Sequence, residues 1–131
     1  MMHLKGYRAP AKNPEHKIQV ALVDYLEIAL KPEIICRAIP NGGLRKKRVG
    51  QQLKAEGVRR GTPDLFFCLP AGRIAWLEMK AAKGGLRPEQ KDFRDRVQAL
   101  DHLWAMVRSV DEAIVVLTKW DVLKSPYRRA A

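Results

Sequence analysis

GTPDLFFCLPAGRIAWLEMK, residues 61–80, decides how this chain is read. Two apolar runs, Asp64–Leu69 and Arg73–Met79, flank Pro70-Ala71-Gly72, residue types that turn a chain back on itself. A hairpin that sets Leu69 against Arg73 sets Asp64 against Glu78 when pairing is counted outward. A bulge at Gly72 would shift that register by one residue. Glu78 and Lys80 lie two apart and share one face of their strand, whereas Met79 points to the other. Two carboxylates and an ammonium therefore meet at one end of the hairpin.

Two acids so placed repel each other unless a cation lies between them. A small cluster of hard oxygen ligands suits Mg²⁺ or Mn²⁺, which keeps several waters and accepts a phosphate oxygen. Lys80 beside the pair is placed to orient or deprotonate an attacking water, or to stabilise charge developing on a phosphate. These residues fit metal-assisted phosphodiester hydrolysis. They also fit a plain Glu–Lys cross-strand pair at a solvent-exposed strand end, and spacing alone leaves both readings open.

Upstream of the hairpin, Asn13-Pro14-Glu15 supplies an N-cap, a proline at the first helical position and an acid in the first turn. Ile18, Leu22, Tyr25, Leu26 and Ala29 follow at helical spacing, predicting a helix that ends before Pro32. Glu33–Ile39 reads as a strand stopped by Pro40-Asn41-Gly42-Gly43. Leu44–Glu56 reads as a short basic helix ended by Gly57. Downstream, Ala81–Gly85 is a loop, and Pro88 opens a helix with Phe93, Val97 and Leu100 on its buried face. His102–Val107 is a last strand. Ser109-Val110-Asp111-Glu112 is a capping box for a terminal helix. The fold class expected is α/β, a mixed sheet flanked by helices.

The whole chain, 131 residues with 47% hydrophobic residues, has the length and apolar content of one globular domain rather than a disordered tail. Lys and Arg number 25 against 14 Asp and Glu, a net charge of +11 that points to a polyanionic partner, nucleic acid above all. No signal-peptide core and no membrane-length apolar stretch is present, so a cytoplasmic, disulfide-free protein is expected. Cys36 and Cys68 have no CxxC partner and read as reduced core thiols. His3, His16 and His102 show no metal-ligand spacing, and Trp76, Trp104 and Trp120 read as packing residues.

Pro63-Asp64 followed by Glu78-Met79-Lys80 resembles the PD-(D/E)xK nuclease signature. The surroundings narrow the likeness. Glu56-Gly57-Val58-Arg59-Arg60-Gly61-Thr62-Pro63-Asp64-Leu65, then Leu77-Glu78-Met79-Lys80, then Leu86-Arg87-Pro88-Glu89-Gln90, resemble the VRR-NUC branch of that superfamily, over roughly residues 15–117. The resemblance implies a restriction-endonuclease-like core, with Asp64, Glu78 and the Met79 backbone carbonyl as metal ligands and Lys80 as the catalytic lysine. It places Glu15 where the family has an additional acid near the metal, and Gln90 where the family has a glutamine at the site. Read without the family, Glu15 is a helix-dipole acid and Gln90 a solvated helix residue. Met79 stands where valine is commoner.

Between Leu44 and Arg60 lie Arg45, Lys46, Lys47, Arg48, Lys54, Arg59 and Arg60 against Glu56 alone, a net +6 just ahead of the acidic cluster. Next to a metal site such a run reads as a DNA-backbone surface, giving affinity and register without base readout; Lys83 extends it. The expected layout is a flexible basic arm at 1–12, the nuclease domain at 13–118 and a basic tail at 119–131. The family resemblance implies a DNA endonuclease leaving 5′-phosphate and 3′-hydroxyl ends. Stand-alone members, often carried by phages, are associated with resolving four-way (Holliday) junctions as homodimers, so the resemblance implies branched DNA as substrate, a homodimer, no organic cofactor, and a bacterial or phage-infected cell. The alternatives are a monomeric nickase or flap-type nuclease, an RNA-processing nuclease, and a non-catalytic basic DNA-binding module.

Overall fold

The computed structural model describes residues 13–40 and 47–124. The arm at 1–12, Arg45, Lys46, the side chains of Lys47 and Arg48, and residues 125–131 lie outside the described residues. The elements come in the expected order: α1 (Pro14–Ala29), β1 (Ile35–Ala38), α2 (Lys47–Ala55), β2 (Leu65–Cys68), β3 (Ile74–Met79), α3 (Pro88–Ala99), β4 (Leu103–Val107) and α4 (Val110–Lys119). They form one four-stranded sheet in the order β1-β2-β3-β4. The first two pairings are antiparallel, and β3 with β4 is parallel, so the sheet is mixed as expected. Among the described residues no helix is long and apolar enough to cross a membrane.

Helix α1 starts as its sequence dictates, with the Asn13 side chain accepting the His16 N–H at 3.1 Å and Pro14 in the first turn. Helix α2 stops at Gly57, which takes a left-handed φ of +105°. There the Val58 N–H reaches the Leu53 carbonyl and the Gly57 N–H reaches that of Lys54, a Schellman closure. In α4, Ser109 caps the Glu112 N–H, but the returning Glu112 carboxylate accepts from the Arg108 N–H rather than from the cap itself.

The strands alternate, and each face has its own cover. Leu65, Phe67, Ala75, Leu77, Met79 and Val107 turn to one side and pack with Leu22 and Leu26 of α1 and Ala113 and Leu117 of α4 in a single core. On the other side Trp76 meets Phe93 of α3 edge to face, 4.9 Å between ring centres. Trp76 Nε1 also donates to His102 Nδ1 at 2.9 Å. Trp120 packs edge-on against Phe67, and the Arg94 guanidinium lies 5.8 Å from the Trp104 ring centre. Both cysteines are free thiols, and burial pushes Cys36 up to about 12, which keeps it an inert thiol.

Two expectations change. Leu100 is 70% exposed rather than buried. Helix α3 ends one residue earlier, and the chain turns through Asp101 at φ +66°, which carries Leu100 outward. The packed structure also continues past 118. Val122 is fully buried in the core, Leu30 bridges Leu123, and the Lys124 N–H bonds the Ala29 carbonyl at 2.8 Å. Residues 119–124 therefore belong to the domain, held by α1, and not to a tail.

Candidate active site

The hairpin register is the one counted from the turn. Leu65 pairs with Leu77 and Cys68 with Ile74, and the Leu69 N–H bonds the Arg73 carbonyl at 2.9 Å. No bulge intervenes, and the same register carried one step further sets Asp64 opposite Glu78. Asp64 Oδ2 accepts the Met79 N–H at 2.8 Å, which fixes the acid against the end of β3. The Ile39 N–H bonds the Asp64 carbonyl, so β1 braces the same point from the other side.

Glu78 and Lys80 share the face opposite Met79, whose side chain is fully buried in the core. Glu78 is 4% and Lys80 6% exposed, with 3.9 Å between Nζ and Oε2. This removes the reading of a solvent-exposed strand-end pair. Gln90, buried in the first turn of α3, donates from Nε2 to Glu78 Oε2 at 3.2 Å and accepts the Arg87 N–H on Oε1 at 2.8 Å. Glu15, at the start of α1, accepts the Ala81 N–H at 3.2 Å. The hairpin, α1 and α3 thus bring Asp64, Glu78, Lys80, Gln90 and Glu15 to one end of the sheet.

The electrostatics follow from burial. Desolvation, then the Asp64 charge, pushes the Glu78 carboxyl up to about 8, with Lys80 working the other way and Glu15 adding to the rise. Asp64 is raised too, chiefly by burial, although the Met79 N–H favours its charged form. A hydrogen bond between the two carboxyls lowers Asp64 and raises Glu78. A divalent cation is the group that relieves such a pair, and oxygen donors suit a hard one. Among the described residues no trio of His, Cys, Asp or Glu side chains is arranged to hold a metal ion. An ion here would rest on Asp64, Glu78 and main-chain oxygen, with waters completing its shell, a donor set that Mg²⁺ commonly accepts.

No family model matches this chain, and no curated protein matches it. Solved structures do. One described as "VRR_NUC domain" aligns with a TM-score of 0.56 at 21% identity, covering 82% of this chain and 96% of that one. Another, "VRR_NUC domain protein", aligns with a TM-score of 0.65 at 16% identity, covering 82% and 88%. The fold is the VRR_NUC fold.

On this VRR_NUC fold the basic residues do not all stand alike. Among the described side chains of α2 only Leu53 is half-buried, and Lys54, Arg59, Arg60 and Lys83 are all exposed. The Arg59 guanidinium is partly engaged, donating to the carbonyls of Lys54 and Val58 at 2.8 and 3.0 Å at the end of α2. One site contact had no signal in the sequence. Arg108, ahead of the α4 cap, sends its guanidinium to the loop that follows Lys80.

Proposed function

We propose that this chain is a VRR-NUC-type endonuclease that hydrolyses DNA phosphodiester bonds with Mg²⁺ or Mn²⁺, selects DNA by structure, and resolves four-way junctions as a homodimer. The observation that carries the reading is the buried Glu78, raised to about 8 beside Asp64, with Lys80 and Gln90 closing on the same carboxylate. Glu78 and Lys80 are buried and Asp64 is half-buried, and two carboxyls held so close are costly to ionise unless a cation joins them, which makes the cluster a candidate for chemistry. The VRR_NUC fold and the Pro63-Asp64 and Glu78-Met79-Lys80 residues support it together.

In this reading Asp64, Glu78 and the Met79 carbonyl would hold the ion, with Glu15 as an additional acid near it. A bound ion supplies charge neutralisation at the phosphate and a more acidic water. Lys80, with Nζ 3.9 Å from Glu78 Oε2, would orient an attacking water or stabilise charge developing on the phosphate. Gln90 fixes the rotamer of Glu78 and lends its amide dipole to that carboxylate. Arg45, Lys46, Lys47, Arg48, Lys54, Arg59, Arg60 and Lys83 carry the DNA backbone, as phosphate contacts that confer no base preference. Symmetric cutting of both strands of a junction needs two sites, hence two copies of the chain.

The test is cleavage of a labelled four-way junction beside linear duplex and flap DNA, with Mg²⁺ or Mn²⁺, for wild type, Asp64→Asn and Lys80→Ala. Paired symmetric cuts in the junction, lost in both variants, support the reading, and light scattering of the active species reports two copies. Preferred cutting of flaps keeps the site and replaces the substrate. A wild type that binds every DNA and cuts none with either ion is a binding module.

A further inference from the structure

Arg108 belongs to no motif, yet its side chain ends beside the site. Val107, the last residue of β4, and Arg108 after it hold the two residues that follow β3. The Val107 carbonyl accepts the Lys80 N–H at 3.0 Å, and Arg108 Nη1 donates to the Ala81 carbonyl at 2.5 Å. The same Nη1 reaches the Gly84 carbonyl at 2.6 Å and that of Ala82 at 3.3 Å. Across the loop, the Gly84 N–H bonds the Ala81 carbonyl at 3.0 Å. From the opposite side Glu15 Oε2 accepts the Ala81 N–H at 3.2 Å. Three carbonyl oxygens turned toward one point repel each other unless a cation fills it, and a guanidinium does so with charge-assisted bonds.

We propose that Arg108 is a positioning residue, a clamp that fixes the 81–84 loop and through it the places of Glu15 and Lys80. Ala81, the residue that follows Lys80, is gripped at its N–H by Glu15 and at its carbonyl by Arg108. Release of that grip lets Glu15 and the lysine drift relative to Glu78. The kinetic consequence rests on the nuclease reading, whereas the grip on the loop does not.

The experiment uses the full chain with Arg108→Ala and Arg108→Lys. Amide hydrogen exchange is followed at Ala81 and Gly84, with Leu77 as a core reference, and cleavage of the preferred DNA is measured with Mn²⁺. Low-millimolar methylguanidinium is then added to each protein. Expected are faster exchange at Ala81 and Gly84 by about tenfold or more, with Leu77 unchanged, and kcat lowered about 10- to 100-fold with KM little moved. Methylguanidinium restores slow exchange and part of kcat to Arg108→Ala but nothing to Asp64→Asn. Arg108→Lys, a compact point charge on a stem that does not reach as far as the guanidinium, falls between and serves where the alanine protein does not fold. Wild-type exchange at both amides overturns the clamp. Altered exchange with unchanged kcat, or a loss confined to KM, overturns the positioning role. A wild type that cuts no DNA defeats the nuclease reading alone, and the exchange arm still decides whether the clamp exists.

Discussion

Gln90 and Glu78 are joined by a buried hydrogen bond of 3.2 Å, and the same Gln90 amide accepts the Arg87 N–H, so the acid is tied to the first turn of α3. Gln90→Ala breaks both bonds and leaves Glu78 with one donor fewer. We expect a loss of about 1–3 kcal/mol in urea unfolding and a drop in kcat of at least about tenfold. Gln90→Glu places another acid against Glu78 and is expected to lose more activity than the alanine variant.

The raised carboxyl of Glu78 makes stability depend on pH. Below its ordinary 4.5 the group is protonated in both folded and unfolded chains and contributes nothing. Between 4.5 and about 8 only the unfolded chain releases the proton, so stability falls as pH rises, and above about 8 the penalty is complete. Without divalent ions, thermal unfolding between pH 5 and 9 is expected to show a decline on the order of 3–5 kcal/mol at most. Glu78→Gln flattens that slope. Saturating Mg²⁺ or Mn²⁺ stabilises wild type most at the alkaline end, where both acids are ionised.

Gly57 and Gly61 both take left-handed backbone, at φ +105° and +101°, but only one has a neighbour in the way. A Cβ on Gly61 would lie 2.5 Å from the Glu89 carbonyl oxygen, whereas nothing lies within 4 Å of one on Gly57. Gly57→Ala is expected to cost about 1 kcal/mol for backbone strain alone. Gly61→Ala costs more, about 2–4 kcal/mol, and shifts the first turn of α3 that carries Gln90. Cleavage should therefore fall for Gly61→Ala and hold for Gly57→Ala.

Val122 tests where the domain ends. Val122→Ala is expected to cost about 2 kcal/mol in chemical denaturation. A chain cut after residue 118 loses Val122, the Trp120–Phe67 contact and the Leu30–Leu123 bridge together, and should unfold at much lower denaturant.

Much of this was legible in the residues because its causes are local. Asn13-Pro14, Gly57 and Ser109 mark helix ends through their own caps, and Pro70-Ala71-Gly72 sets the hairpin register that aligns Asp64 with Glu78. The depth of Glu78 was not legible, since Gln90 and the packing of α3 create it from outside the strand. Arg108 lay beyond reach for a like reason: its partners are three main-chain carbonyls, which no sequence spells. Leu100 kept the helical spacing but fell past the last turn. Val122 lies in Trp120-Asp121-Val122-Leu123, a stretch too short to show a period, and only the packed structure places it.

The turn at Pro70-Ala71-Gly72 also limits which length changes this chain tolerates. Hairpin tips usually accept insertions and deletions freely. Here one added residue that slid β3 along β2 would exchange its two faces, turning Glu78 and Lys80 into the apolar core and Met79 out toward Gln90. The spacing of the chemistry is thus written at the far end of the hairpin, where no reacting group stands. Related chains that keep the chemistry should vary the identity of these tip residues more readily than their number.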